Sequence, residues 1–160
     1  MNRKIFIITV LSLLSIFLQF IFISRIPLFD LTADIVLIPI SYVAINYGRL
    51  NGTVFGFIAG FALDIITGFW GVNALSKTIT GYIFGNFHTE SKPLGNWDRI
   101  QYLQVFFFAT FVHFSIFSGI NHLHMIDNVW SFIFKYVLGQ TVYSVIFAGI
   151  FAFYYWRVRR

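Results

Sequence analysis

Cysteine is absent from this chain of 160 residues, so a disulfide framework and a thiolate-bound metal are both excluded. Charged residues are also scarce: they make up 11 % of the chain, whereas soluble domains carry about a quarter. The sequence has six acidic residues, three prolines and no long polar segment that could fold as a water-soluble module. These absences argue against a soluble protein and favour one domain built within a membrane.

Hydrophobic residues dominate the sequence and make up 58 % of it. Their long runs predict an all-α integral membrane protein, a compact bundle of six transmembrane helices in a single membrane domain of residues 1–160. The predicted spans are residues 5–24, 33–47, 52–68, 71–87, 100–120 and 129–156, and the main polar loop is 88–99. The first run is about twice as long as the apolar core of a signal peptide and no cleavage site follows it, so a span is favoured over a cleaved signal.

The distribution of basic residues predicts the orientation of the chain. Its net charge of +5 is spread over the ends of apolar runs rather than gathered on one polar face, which argues against nucleic-acid binding. By the positive-inside rule both termini are predicted to be cytoplasmic. The basic residues on the predicted cytoplasmic side are Arg3, Lys4, Arg49, Lys92, Arg99, Arg157, Arg159 and Arg160, against Arg25 on the other side.

Glycines recur every four residues in the third predicted span. Residues four apart lie one above the other on a helix, and small residues in such a row let membrane helices approach closely. We therefore predict a helix-packing stripe, continued on the fourth span, with Asp64 on the same face. The predicted stripe consists of Gly52, Gly56, Gly60, Gly68, Gly81 and Gly85.

Four ionisable side chains fall within the predicted spans: Asp64, Lys77, His113 and Lys135. An isolated charge at such a depth costs at least about 2.5 to 3.5 kcal/mol, so pairing is expected. Asp64 and Lys77 are equidistant from the turn near residue 70, and His113 and Lys135, counted from the ends of their own spans, come out at similar depth. This predicts an intramembrane polar cluster in which Asp64 and Lys77 pair, directly or through one water. The cluster is either a structural clamp or the lining of a polar cavity for a ligand or a proton. Asp34 is predicted to cap the second span.

Signals for catalysis or cofactor binding are weak. The glycines lie inside an apolar helix rather than in a phosphate-binding loop, and no G-x-S-x-G nucleophile motif is present. His122, His124 and Asp127 are a candidate metal site, but they lack a fourth ligand and are closely spaced in a loop. The sequence therefore predicts a protein that is not an enzyme, with no cofactor and no metal.

One stretch carries a resemblance to a known family. Residues 56–75 read GFIAGFALDIITGFWGVNAL, and they are preceded by Asp34, Gly48 and Gly52 and followed by Thr78, Gly81 and Tyr82. In this order the residues resemble the bacterial rod shape-determining protein MreD family over residues 33–86. Members of that family share a glycine-rich third helix that ends in a D-x-x-x-G turn followed by G-x-x-A-L.

The resemblance implies a non-catalytic inner-membrane scaffold of the cell-elongation machinery. Its expected partner is the bitopic protein MreC, and through it the MreB filaments, the RodA glycosyltransferase and a class B penicillin-binding transpeptidase. The family is similar in fold to the substrate-capture subunits of energy-coupling-factor vitamin transporters, which makes a transport subunit the alternative. Those subunits often carry an alanine-x-x-x-alanine patch on the first helix, whereas residues 5–24 contain no alanine.

Overall fold

A computed structural model describes residues 14–19, 32–68, 70–91, 93–122 and 129–158. Most of the predicted span 5–24 and the loop residues 123–128 lie outside the described residues, although residues 14–19 are helical. The helices are α1 (Leu37–Tyr47), α2 (Arg49–Thr67), α3 (Val72–Gly85), α4 (Arg99–His122), α5 (Val129–Phe132) and α6 (Gln140–Val158). A π-helical segment, Ile133–Gly139, joins α5 to α6 without a break. The described residues contain no strand, so this part of the chain is all-helical.

Three of the described helical runs are long and apolar enough to cross a membrane: α2, α4 and the continuous run from Ile133 to Val158. At about 1.5 Å per residue, 20 residues cover the hydrocarbon layer, and α1 is shorter, with 11 residues. Membrane character therefore agrees with the sequence. The number of six spans and the orientation of the termini stay predictions.

The start of α1 differs from the prediction. The span was expected from residue 33, but the helix begins at Leu37, because the Asp34 carboxylate turns back and accepts the Val36 amide at 3.1 Å. Pro39 occupies the first turn of α1, where the amide that proline lacks has no helical partner to lose.

Glycines form the turn between α2 and α3. Gly68 ends α2 with φ +75°, and Gly71 precedes α3 with φ +80°. Both values lie in the left-handed region, where a side chain is strained. The Gly68 amide donates to the Asp64 carbonyl oxygen at 2.8 Å and so completes the last turn of α2. The two helices therefore form a tight hairpin.

Aromatic residues tie the remaining helices to this hairpin. α1 packs on α2 and α3, α3 packs on α4, and α4 packs on α6. Tyr102 of α4 is fully buried, with its hydroxyl 3.0 Å from the Ser41 hydroxyl of α1. Near the end of α6, the Trp156 indole donates to the carbonyl oxygen of Trp97, just before α4, at 2.5 Å. α1, α3, α4 and α6 thus surround a common interior.

Candidate functional site

Three ionisable residues meet in that interior. The Lys77 ammonium donates to the Asp34 carboxylate oxygen Oδ2, and His113 Nε2 lies 3.2 Å from the same oxygen. Lys77 is completely buried, His113 is 1 % exposed and Asp34 is 6 % exposed. We call Asp34, Lys77 and His113 the Asp34 cluster. Since they come from the segment before α1, from α3 and from α4, the cluster joins three parts of the chain.

The backbone around Asp34 holds its carboxylate in place. The Asp34 amide donates to the Ser144 hydroxyl of α6 at 2.9 Å, while carboxylate oxygen Oδ1 accepts the Val36 amide. Gln19 anchors the neighbouring backbone, because its amide donates to the Ala33 carbonyl at 2.7 Å and its oxygen accepts the Ile35 amide at 2.9 Å. Asp34 is therefore fixed by residues from several helices.

Asn73 connects the Asp34 cluster to Asp64. Its side-chain oxygen accepts from the Lys77 ammonium at 3.0 Å, and its side-chain nitrogen donates to Asp64 Oδ1 at 3.0 Å. Asp64 Oδ1 also accepts the Asn73 backbone amide at 3.0 Å, and Oδ2 accepts the Ala74 amide at 2.8 Å. These amides belong to the first turn of α3, where helical partners are lacking. Asp64 of α2 therefore caps the start of α3.

Asp64 and Lys77, which the sequence predicts to pair, form no direct ion pair among the described residues. Among the described residues the ion pair of this interior joins Lys77 to Asp34, and His113 lies within hydrogen-bond distance of the same carboxylate. Asp64 reaches Lys77 through the Asn73 amide. The physical reason is that the α3 backbone amides already occupy both Asp64 oxygens. Lys77 therefore takes its counter-charge from the segment before α1.

Lys135 lies apart from the Asp34 cluster. It is exposed on the π-helical segment, and its ammonium lies 5.5 Å from the centre of the Tyr136 ring. The seven-residue π-helix changes the angular step between residues. Depth counted along the sequence therefore does not tell which way this side chain points. The sequence predicts that Lys135 joins Asp64, Lys77 and His113, but the structure does not bring Lys135 to these residues.

Five of the predicted packing glycines lie where α2 and α3 touch through their backbones. A Cβ on Gly56 would lie within 3.0 Å of the Lys77 carbonyl oxygen, and one on Gly60 within 3.0 Å of the Asn73 carbonyl oxygen. Gly52 faces Gly81 in the same way, and Gly85 faces the Arg49 backbone. Gly68 differs, because it is exposed in the turn and a Cβ added to it would have no atom within 4 Å.

Sequence reasoning missed Asn73 and Ser144 and gave Asp34 the role of a helix cap alone. One signal was available for Asn73: it precedes Lys77 by four residues, which puts the amide and the ammonium on one face of α3. Ser144 lies 110 positions from Asp34, and no local pattern connects them.

The side chains of the Asp34 cluster bind one another and so connect the parts of the chain from which they come. A carboxylate, an ammonium and an imidazole face each other in a buried interior, where unpaired charges are costly. The described residues contain no group of three or more His, Asp or Glu side chains that could hold a metal. His124 and Asp127 of the candidate loop site lie outside the described residues.

Comparison of the chain with protein-family models, with curated proteins and with solved structures found no match.

Proposed function

We propose that this chain is a six-span protein of the bacterial inner membrane with both termini in the cytoplasm, and that it acts as a non-catalytic scaffold of the cell-elongation machinery. In this role it binds the bitopic protein MreC. Through MreC it connects to MreB filaments, the RodA glycosyltransferase and a class B penicillin-binding transpeptidase. The partners follow from the resemblance of residues 33–86 to the MreD family.

The α2–α3 hairpin is the observation that carries this proposal. Its inner face is held by backbone contacts at Gly56 and Gly60, while its outer face presents a continuous apolar surface. The large exposed side chains of α2 are Leu50, Val54, Phe57, Ile58, Phe61, Ile65 and Ile66. A rigid helix pair with an apolar outer face suits a protein that works by packing against lipid or another span.

The Asp34 cluster also fits a scaffold better than an enzyme. Lys77 bonds to Asp34 and Asn73, and Asp34 is further engaged by His113 and by the Val36 amide. Charges that neutralise one another between helices stabilise one arrangement of those helices. This favours the structural clamp over a reactive centre.

The proposed orientation draws support from the helix ends. The Arg49 backbone lies against Gly85, and Trp156 bonds to Trp97, so the start of α2 meets the end of α3 and the end of α6 meets the segment before α4. Arg49, Arg99 and Arg157 all belong to these ends. Positive residues are enriched on the cytoplasmic side of membrane proteins.

Co-purification tests the proposal. The tagged chain would be expressed with MreC from the same bacterium, extracted in mild detergent and isolated, with an unrelated bitopic protein as the control partner. Native mass spectrometry of the product should detect a complex that contains both chains. A folded, monodisperse chain that recovers no more MreC than the control partner contradicts the scaffold.

The same spectra address the transport alternative. A subunit that captures substrate for an energy-coupling-factor transporter should carry a bound vitamin, seen as a mass added to the single chain. The absence of alanine from residues 5–24 disfavours this alternative. A vitamin adduct without MreC would overturn our proposal in its favour.

A further inference from the structure

Two deeply buried polar atoms of α4 have no hydrogen-bond partner among the described residues. They are the Thr110 hydroxyl oxygen and His113 Nδ1. Thr110 is fully buried and His113 is 1 % exposed. Buried polar atoms in folded proteins nearly always have a partner, which is either protein or bound water. Both atoms therefore indicate a binding site for a small polar molecule.

Thr110 is unusual among the described helical threonines. A threonine within a helix commonly donates its hydroxyl to the carbonyl four residues earlier. The threonines that do so here are Thr53, Thr67, Thr78, Thr80 and Thr141. Thr110 makes no such bond. Its hydroxyl is therefore available to a molecule beside the helix.

The His113 ring has a fixed orientation. Nε2 points to the Asp34 carboxylate at 3.2 Å, so it carries the proton that is donated to that oxygen. In a neutral imidazole the other nitrogen, Nδ1, is then an acceptor. The site therefore offers one acceptor on His113 and one hydroxyl, which can donate or accept, on Thr110.

Thr110 and His113 are three residues apart on α4, so their side chains occupy the same face, about 5–6 Å apart at Cβ. α3 packs directly on α4. A molecule of the size of water spans the separation between the two side chains and can reach both of them. A metal cation is disfavoured, because the Lys77 ammonium already bonds to Asp34 beside the ring.

We propose that one ordered water molecule is bound between α3 and α4, held by the Thr110 hydroxyl and His113 Nδ1. The water accepts from the Thr110 hydroxyl and donates to Nδ1. Thr110 and His113 thus give the water two partners, within the range of two to four usual for buried water. The water extends the Asp34 cluster to Thr110. This inference is independent of the proposed scaffold function.

Solid-state NMR of the protein in lipid bilayers tests the site. Histidine would be labelled with ¹⁵N, and the His113 signals would be identified by their loss in His113→Gln. Magnetisation transferred from water should appear at the His113 ring in the wild-type protein. A His113 ring that receives no magnetisation from water overturns the proposal.

Variants at Thr110 give a second measurement. Thr110→Val removes the hydroxyl at nearly constant volume and should weaken the water signal at His113, whereas Thr110→Ser should retain it. Thr141→Val is the matched control, since Thr141 is equally buried but bonds to its own helix. An unchanged signal in Thr110→Val contradicts the site, and if this variant does not fold, the wild-type and Thr110→Ser spectra decide.

The melting temperature of Thr110→Val distinguishes a hydroxyl that binds water from one without a partner, because the two cases predict different changes. If water binds Thr110, the valine variant loses a hydrogen bond and should melt roughly 2–4 °C lower than wild type, for a chain of this size. If the hydroxyl were buried without a partner, valine would leave the melting temperature unchanged or raise it. That second result overturns the proposal.

Discussion

Lys77 forms an ion pair with Asp34, a residue 43 positions earlier in the chain. The pair lies in the interior between α1, α3, α4 and α6, and it gives α3 a charged attachment to the segment before α1. Such an attachment stabilises only when both partners are present, because a lone buried charge is strongly unfavourable.

Replacing Asp34 by Leu should therefore destabilise the protein by about 3–5 kcal/mol, since it leaves the Lys77 ammonium buried without a counter-charge. Replacing both residues, as Asp34→Leu with Lys77→Met, should recover much of that loss. The measurement is thermal or denaturant unfolding in detergent or nanodiscs. Glu90→Gln, at an exposed position, is the control and should change stability by less than about 0.5 kcal/mol.

Asp64 should behave differently from Asp34. Its carboxylate accepts two backbone amides at the start of α3, so Asp64→Ala should cost about 1–3 kcal/mol. Asp64→Asn, which keeps one acceptor oxygen, should cost less.

The double variant Asp64→Ala with Lys77→Met tests which of the two carboxylates, Asp34 or Asp64, is the counter-charge of Lys77. The unfolding free energies of this double variant should show no rescue, whereas the Asp34 double variant should. A rescue of equal size at Asp64 would mean that Lys77 is shared between the two carboxylates.

Gly56→Ala should disrupt the α2–α3 hairpin, because the new methyl group would overlap the Lys77 carbonyl oxygen. We expect the free energy of unfolding to fall by about 1–3 kcal/mol, the range known for overpacking. Gly149→Ala on α6 is the matched control: it has open space around its Cβ, and alanine favours a helix by up to about 1 kcal/mol. Equal melting temperatures for the two variants would contradict the close contact.

The absence of cysteine allows a clean measurement of orientation. Ser91→Cys lies in the exposed polar loop, and Trp70→Cys replaces a side chain that is 99 % exposed at the α2–α3 turn. If both termini are cytoplasmic, a membrane-impermeant maleimide added to intact spheroplasts should label position 70 and should not label position 91. Disruption of the membrane should then expose position 91. The reverse pattern would invert the proposed topology.

Much of the local structure was predictable, since helix formation and close packing leave periodic signals. The four-residue spacing of Gly52, Gly56 and Gly60 predicted the face on which α2 meets α3. It did not distinguish Gly68, which has the same spacing but falls one residue beyond the helix. A periodic pattern describes a face and does not tell where the helix ends.

The pairing of charges was not predictable in the same way. Counting residues from a turn gives the depth of a side chain, but neighbours also depend on its direction around the helix axis. Counting predicts equal depth for Asp64 and Lys77, yet Asp64 turns to the α3 amides and Lys77 turns to Asp34. Asp34 itself lies before α1, and its carboxylate is buried against Lys77 and His113.

Lys77 is held at both ends. Its carbonyl oxygen abuts Gly56 of α2, and its ammonium is bound to Asp34. Because Gly52 and Gly60 lie one turn either side of Gly56, sliding α3 along α2 by one helical turn, about 5.4 Å, would still set a glycine against the Lys77 backbone. The slide would, however, pull the Lys77 ammonium away from the Asp34 carboxylate. A single lysine thereby fixes the register of the hairpin and ties that register to the rest of the bundle.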